Sequence, residues 1–237
     1  MKRVITAGGR RLEYTLIQTF RRDVLFQALP EGVIRVYAPR AMRLRDIDEL
    51  VRSRADRLID MGRAVDRHID AQRRAHPVAD GSPILVEGVP RVIRLRPGAR
   101  VSGSVTDDEL CLTLPRPDSD PDVRAAIRAV LSRRALERIR ERLQYYAPRV
   151  GVSAERRVAI REQKTRWGSC SGKGNLNFNW KLIMAPPQVL DYVVIHELCH
   201  LLEFNHSPRF WALVEAQMPE YKSWKKWLDT HREDLYL

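Results

Sequence analysis

Three histidines and one glutamate, all within eleven residues, are of the types and spacing that form a catalytic metal site. The segment 187–211 reads PQVLDYVVIHELCHLLEFNHSPRFW and contains the H-E-x-x-H motif His196, Glu197 and His200, followed by His206. Residues four apart on an α-helix lie on one face, so the first two histidines can bind the same metal ion. The glutamate then lies beside the ion, where a general base would act on water. A third nitrogen from His206 would leave the fourth tetrahedral position of a zinc ion open to water.

Two residues are candidates for the third ligand, His206 and Glu215. Asn205 tolerates the left-handed conformation that ends helices, and Ser207 is a typical N-cap of a following helix, so His206 is predicted in a sharp turn between two helices. The histidine spacing equals that of metzincins, but Glu203 occupies the position of their turn glycine, so that family is not carried over. Glu215 lies one helix later, as in glutamate-type sites. The spacing favours His206.

The helix that carries the motif is predicted to begin at Pro186 or Pro187, because proline suits the first turn of a helix. Tyr192 and Glu203 share the face of the histidines. The apolar residues recur at helical spacing and are predicted to face the core: Leu190, Val193, Val194, Leu198 and Leu201. Cys199, inside the motif, is interpreted as a small buried thiol rather than a ligand. The competing interpretation, two surface histidines on an amphipathic helix, is disfavoured by this context.

Strands are predicted on both sides of a glycine turn that precedes this helix. The first is RVAIREQ, and the second, NLNFNWKLIM over residues 175–184, alternates apolar residues with Asn175, Asn177 and Asn179. Asparagine is depleted in strands, so a row of three is unusual. Two interpretations remain open: an exposed hydrogen-bonded face, or the wall of a cleft that receives an extended peptide by strand addition.

The first half of the chain is predicted to be rich in strands. Residues 11–39 alternate as an antiparallel meander, residues 44–74 have the period of one long helix, and strands return between residues 83 and 115. A second helix start follows at 118–121, and the apolar stripe behind it suits a helix packed along a sheet. The sequence therefore predicts an α+β protein. Its predicted parts are a β-rich region with one long helix over 1–118 and a metal-binding domain over 119–237.

Composition excludes several classes of protein. With 44% hydrophobic and 30% charged residues, the chain is typical of a soluble globular protein. No apolar run approaches the length that spans a membrane, and the N-terminus lacks the apolar stretch of a signal peptide, so a cytoplasmic location is expected. The three cysteines are widely spaced and include no C-x-x-C pair, which fits a reducing compartment without disulfides.

The formal charge of +12 is concentrated in the first part of the chain. Residues 1–100 hold 21 Lys and Arg against 12 Asp and Glu, whereas residues 101–237 hold 21 against 18. Such an excess allows binding of nucleic acid. However, the basic residues are scattered among acidic ones along the sequence, so nucleic acid is a possible partner but not the favoured one.

The motifs of the second half resemble those of a known family. The segment KTRWGSC over 164–170, the glycine turn, NLNFNWKLIMAPP, YVVIHELCHL and NHSPRFW together resemble the YgjP-like metal-dependent hydrolases, which are zincins related to the SprT and WLM families. The resemblance covers residues 155–230. It implies a zincin-like minimal metallopeptidase domain, in which a helix backs a small mixed sheet and the zinc-binding helix lies below its edge strand, with further helices at the C-terminus.

The resemblance also implies site residues. It places one zinc ion at His196, His200 and His206, with Glu197 as the catalytic acid and base. A second set matches the family's hexapeptide and is expected near the cleft: Arg166, Trp167 and Ser169.

The sequence thus predicts a zinc metallopeptidase that cleaves peptide bonds of a peptide or protein substrate through a zinc-bound water activated by Glu197. Tyr192 and Arg166 are candidates to stabilise the oxyanion. Two alternatives remain. One is a nucleic-acid-associated protease of the SprT type. The other is a non-catalytic zinc-stabilised module, whose fourth metal position would be closed by Glu215 or Cys170.

Overall fold

The structure, a computed structural model, describes residues 1–163, 166–232 and 234–235. The chain divides into two compact units, Met1–His76 and Pro77–Leu237, each with its own hydrophobic core. The predicted boundary near residue 118 does not coincide with this division. The reason is that the strands between 83 and 114 share one apolar core with the helix that follows them.

The first unit contains a mixed four-stranded sheet with the order β1-β2-β4-β3. Its strands are β1 (Lys2–Ala7), β2 (Arg10–Thr19), β3 (Leu25–Ala28) and β4 (Ile34–Pro39). The predicted antiparallel meander is wrong, because β2 pairs in parallel with β4 and β3 lies at the outer edge. Alternation of apolar residues specifies which face of a strand is buried but not which strand is its neighbour.

Two helices pack on one face of this sheet. They are α1 (Leu44–Ser53) and α2 (Ala55–Ala75), where the sequence predicted one helix over 44–74. The interruption is the single residue Arg54, whose φ of −117° and ψ of 11° depart from helical values. Beneath the helices, Tyr14 donates a hydrogen bond of 2.5 Å to Asp48, which also pairs with Arg3. The Arg3 guanidinium is the main cause that lowers the pKa of Asp48.

The second unit begins with another four-stranded sheet, ordered β5-β6-β8-β7. Its strands are β5 (Pro83–Val86), β6 (Val89–Pro97), β7 (Ser102–Val105) and β8 (Glu109–Leu114). This order repeats that of the first sheet, with the second and fourth strands parallel in both. Each sheet is also followed by a helical segment, so the chain contains a repeat of topology that its sequence does not reveal.

The long helix α3 (Asp120–Val150) forms the centre of the second unit. Its buried residues include Ile127, Leu131, Ile139 and Leu143, which belong to the apolar stripe seen in the sequence. The helix ends at Gly151, whose φ of 85° is the left-handed conformation that favours glycine at a C-terminus.

A small mixed sheet, ordered β10-β11-β9, lies between α3 and the metal motif. Its strands are β9 (Val158–Arg161), β10 (Gly168–Cys170) and β11 (Leu176–Asn179). Here β11 is parallel to β9, and β10 is an antiparallel edge strand. The predicted strand over 175–184 is too long, since Trp180–Met184 forms a 3-10 helix. A short apolar run that is buried on every side has no periodicity from which to choose between strand and helix.

Three helices complete the chain: α4 (Pro187–Cys199), α5 (Pro208–Gln217) and α6 (Tyr221–Thr230). The start of α4 at Pro187 is as predicted. Its burial is not confined to one stripe, because Ile195 and Cys199 are also fully buried. In the described residues, six α-helices and three mixed sheets confirm the α+β prediction. No helix among those residues is both long enough and apolar enough to cross a membrane.

The N-terminal half of α4 is fixed by charged contacts to its neighbours. Arg142 of α3 forms a bidentate ion pair with Asp191, at 2.6 and 2.8 Å. In the turn between β5 and β6, Glu87 accepts hydrogen bonds from two arginines of α3, and its backbone N–H bonds to Ile183 at 2.6 Å. The next residue, Gly88, has a φ of 77° and leaves no room for a Cβ beside Pro186. These contacts position the helix that carries the histidines.

Candidate metal centre

The structure brings the three predicted histidines together at the C-terminal end of α4. The Nε2 atom of His196 lies 3.1 Å from Nε2 of His200 and 3.1 Å from Nε2 of His206. Of the described residues, only these three form a cluster of histidine, cysteine or acidic side chains able to hold a metal ion. One ligand atom from each lies within 4.8 Å of the other two.

The spacing of these nitrogens fits a tetrahedral metal. Two nitrogens bound at the usual zinc–nitrogen distance in a tetrahedral site lie about 3.3 Å apart. The observed separations of 3.1 Å are close to that value. Three nitrogens converging in this way would otherwise face each other across a small space with little to bond to. The donor set therefore fits a metal ion such as zinc, with a position left for water.

Hydrogen bonding and burial favour the ligand form of the imidazoles. His200 Nδ1 lies 3.1 Å from the carbonyl oxygen of Glu203, so a proton donated there leaves Nε2 free to bind a metal. Burial, followed by the neighbouring histidines, lowers the pKa of His196 to about 3. Burial is also the main cause that lowers the pKa of His200. Both rings are thereby kept neutral, as metal ligands must be.

The turn that returns His206 to the other histidines uses local hydrogen bonds. Ser207 is the N-cap of α5, as predicted, and its hydroxyl accepts a bond of 3.2 Å from the N–H of Phe210. Asn205 does not take the left-handed conformation that the sequence suggested. Its side chain instead accepts a bond of 3.0 Å from the N–H of Ser207. The asparagine therefore stabilises the turn through its side chain rather than through its backbone angles.

Aromatic rings surround the three imidazoles. The ring of Phe210, which is fully buried, lies 4.9, 4.5 and 4.9 Å from the rings of His196, His200 and His206. Trp211 stacks on His206 with centroids 5.6 Å apart and an interplanar angle of 25°. His206 is the most exposed of the three histidines, and it packs between Phe210 and this stacked Trp211. The sequence places these rings four and five residues after His206, but it does not show that they contact the imidazoles.

Replacing Trp211 by alanine is expected to weaken zinc binding by about two- to tenfold, the worth of one aromatic stack, because His206 would lose the stacked one of its two aromatic neighbours. The measurement is the apparent zinc dissociation constant by competition with a chelating dye. Trp211→Phe should retain most of the affinity. The matched control is Trp227→Ala, which removes a closer stack, at 4.4 Å, from His231, a histidine outside the cluster. Equal weakening in both alanine variants would contradict this role.

Glu197 lies one residue after the first histidine and is only 4% exposed. Burial raises the pKa of Glu197 to about 8, and the charge of Arg166 opposes that shift. A divalent cation at the histidines would act in the same direction as Arg166 and lower the pKa of Glu197. Its Oε2 atom has no hydrogen-bond partner among the described residues, so it is available to a small molecule in the cleft.

Gly168 packs directly against this carboxylate. A Cβ at residue 168 would lie 2.7 Å from Cγ and 2.8 Å from Cδ of Glu197, and closer still to Oε1. No side chain larger than hydrogen fits there without moving the glutamate. The sequence signal was the glycine of the hexapeptide, but only the fold shows what it contacts.

The other predicted cleft residues line one cavity of about 490 Å³ together with the histidines and Glu197. They are Arg166, Trp167, Ser169 and Tyr192. Arg166 is exposed, whereas Tyr192 is 5% exposed and burial raises its pKa. Lys164 and Thr165, which begin the KTRWGSC segment, lie outside the described residues.

Asn179 is a buried polar residue. The sequence alone does not show what it contributes to the site. Its Nδ2 donates to the carbonyl oxygens of Gln163 and Arg166, at 2.9 and 3.4 Å, and its Oδ1 accepts from the N–H of Lys181. It therefore fixes the segment that leads into the cleft. Asn177 donates a bond of 3.3 Å to the hydroxyl of Ser169. The predicted hydrogen bonding of the asparagine face is therefore confirmed for Asn177 and Asn179, but its predicted exposure is wrong for Asn179, which is 4% exposed.

The alternative ligands lie outside the cluster. Glu215 is exposed and pairs with Lys222 at 3.7 Å. Cys170 lines the cleft, and burial is the main cause that raises its pKa, which disfavours the thiolate that a metal would need.

Comparison with known protein families agrees with the histidine cluster. The family model described as YgjP-like, metallopeptidase domain, matches residues 22–231. This chain belongs to the YgjP-like family. The family description makes it a metallopeptidase, and its histidine cluster agrees with the metal ion that this name implies.

A solved structure and a search of curated sequences were also compared with this YgjP-like chain. The structure of the metallopeptidase zymogen of Pyrococcus abyssi abylysin is similar to it at 27% sequence identity. That similarity covers 39% of this chain and 92% of the abylysin chain, with a TM-score of 0.37. No curated protein matches the chain.

Proposed function

We propose that this YgjP-like protein is a zinc-dependent peptidase that hydrolyses peptide bonds, with Glu197 as its acid and base. The observation that supports this most directly is the convergence of three imidazole nitrogens beside a buried carboxylate whose Oε2 has no partner among the described residues. A purely structural zinc site has no use for such a carboxylate, and its fourth position is closed. In the described residues neither Cys170 nor Glu215 closes it.

The zinc ion, when bound, supplies a Lewis acid that acidifies water and polarises the scissile carbonyl. His196, His200 and His206 hold it without neutralising its charge. Glu197 accepts a proton from the attacking water and donates it to the leaving nitrogen, which restores the carboxylate. Its burial keeps bulk water from competing for that proton. Arg166 and Tyr192 remain the candidates to stabilise the oxyanion.

The form of the cleft supports a peptide as substrate. Strand β10 (Gly168–Cys170) lines it and is the edge strand of its sheet, so no strand of the described residues pairs with its outer side. An extended peptide could hydrogen-bond to that edge and lie across the metal centre.

Zinc content tests the ligand set. Elemental analysis of untagged protein should find about one zinc ion per chain in the wild type and in Glu215→Ala, and much less in His206→Ala, because a three-ligand site loses affinity when one nitrogen is removed. Peptide cleavage by the wild type, followed by mass spectrometry of a peptide mixture, tests the reaction. A wild type without zinc after growth with ample metal, or loss only in Glu215→Ala, would overturn the assignment.

A further inference from the structure

The basic residues of the first unit are segregated by the fold. Residues 1–43, which form the sheet and its loops, hold nine Lys and Arg against three Asp and Glu. Residues 44–76, which form the two helices, hold eight against seven. Nearly the whole excess therefore belongs to the sheet. The linear sequence makes these charges look scattered, because the strands that bring them together are separated in the chain.

Arginines gather at one end of this sheet. Strands β2 and β4 are parallel and in register up to the pair Thr19 and Pro39, so the segments that follow both strands emerge at the same edge. Those segments contain Arg22, Arg40 and Arg43, all of them exposed. Among the described residues, no carboxylate lies within ion-pair distance of these three, whereas the neighbouring Arg21 is paired with Asp23. This edge therefore carries positive charge that the protein itself does not neutralise.

An exposed aromatic ring lies among these arginines. Phe20 is 87% exposed, the highest value for any large apolar side chain described. The guanidinium of Arg40 lies 4.3 Å from its ring centroid and covers one side of it. The other side is open. Such a ring gains nothing from the protein core, but it can stack on another flat group.

Strand β4 adds further residues to the open face of the same sheet. Ile34, Val36 and Ala38 of this strand are buried, so the alternate residues Arg35 and Tyr37 lie on the opposite, open face of the sheet. Arg35 is exposed and has no carboxylate within ion-pair distance in the described part of the chain. Tyr37 is half-buried, so β4 adds one exposed arginine and one partly open ring to that face.

We propose that this basic aromatic surface, formed by Phe20, Arg22, Arg40 and Arg43 at the end of a sheet whose strand β4 also exposes Arg35 and Tyr37, binds single-stranded nucleic acid. Unpaired arginines neutralise phosphates and release counterions, and exposed rings stack on bases without regard to sequence. A duplex hides the faces of its bases, and an acidic peptide or a lipid headgroup has no flat group for Phe20. The combination of the open Phe20 ring with arginines that pair with no carboxylate of the described residues favours the single strand.

Fluorescence anisotropy of a short labelled DNA or RNA strand, titrated with the full chain over a range of salt, tests the proposal. The wild type should bind with a negative log–log salt slope. Arg22→Ala/Arg40→Ala should reduce the magnitude of that slope by about 1.4, since each phosphate contact to a single strand contributes about 0.7. Phe20→Ala should weaken binding by about five- to 150-fold with little change of slope, because a stacking contact is lost rather than a charge.

The matched control is Arg63→Ala/Arg67→Ala on α2, which removes the same charge from the balanced helical side. It should leave the slope nearly unchanged. The proposal is overturned if the wild type shows no salt-dependent binding, if both double variants lose equally, or if duplex DNA, polyglutamate or phosphatidylserine vesicles compete as well as the unlabelled strand. Glu197→Gln should bind as the wild type does, so this test is independent of peptidase activity.

Discussion

Replacing Glu197 by glutamine is expected to lower kcat/KM for a peptide that the wild type cleaves by about 10²- to 10⁴-fold, the usual worth of a general acid and base. The amide has nearly the shape of the carboxylate but cannot accept the proton of water at neutral pH. Zinc content should stay near that of the wild type, because Glu197 is not in the histidine cluster. Thermal stability should not fall, since the change removes a buried carboxylate whose Oε2 has no partner in the described structure.

The comparison needs a carboxylate that is close in sequence but has another role. Glu203 is six residues away, and its side chain faces Arg209 at 4.0 Å, while the part of it that supports His200 is its backbone oxygen. Glu203→Gln should therefore retain most of the activity. Full activity in Glu197→Gln, or equal loss in the two variants, would exclude Glu197 as the acid and base. Loss of zinc in Glu197→Gln would show that the substitution acts through the metal site instead.

The part of the site that could be predicted from the sequence is the part set by local spacing. His196 and His200 are one helical turn apart whatever surrounds them, and Pro187 and Ser207 mark helix starts by their own chemistry. The start of the helix after His206 is therefore as predicted, whereas α4 ends at Cys199, before the Leu201 and Glu203 that the sequence placed on it. The apolar stripe of α3 was visible for the same reason, because its period depends only on the helix.

The parts that could not be predicted depend on contacts between distant residues. Nothing in the alternation of β2 and β4 shows that they are parallel neighbours, and so the gathering of Arg22 and Arg40 at one edge was hidden. Asn179 reads as one asparagine in a row, although its bonds to the chain before β10 give it a separate role. Phe210 reads as a core residue, and it is one, but its ring also touches all three imidazoles. Local pattern specifies burial, whereas partners come from topology.

Gly168 is another residue whose role depends on a contact with a distant residue, the side chain of Glu197. Gly168→Ala is expected to lower kcat/KM by about 10²-fold, the cost of displacing a catalytic group by about 1 Å. The added methyl would occupy the space of the Glu197 side chain. Because Gly168 is paired with Phe178 in the sheet, its backbone cannot easily withdraw, and the end of the glutamate side chain is the more mobile partner. The carboxylate should therefore move away from the attacking water while the fold is retained.

Gly172→Ala provides the matched control in the same segment, since a Cβ there meets no atom within 4 Å and the backbone is not left-handed. It should keep wild-type activity. Zinc content should be unchanged in both variants, because neither glycine contacts a histidine of the cluster. Full turnover in Gly168→Ala would contradict the close packing of Gly168 against Glu197. If Gly168→Ala instead loses zinc, the edge strand supports the metal ligands rather than the base. Loss of turnover with zinc retained would show that residue 168 must lack a side chain so that the Glu197 carboxylate keeps its position.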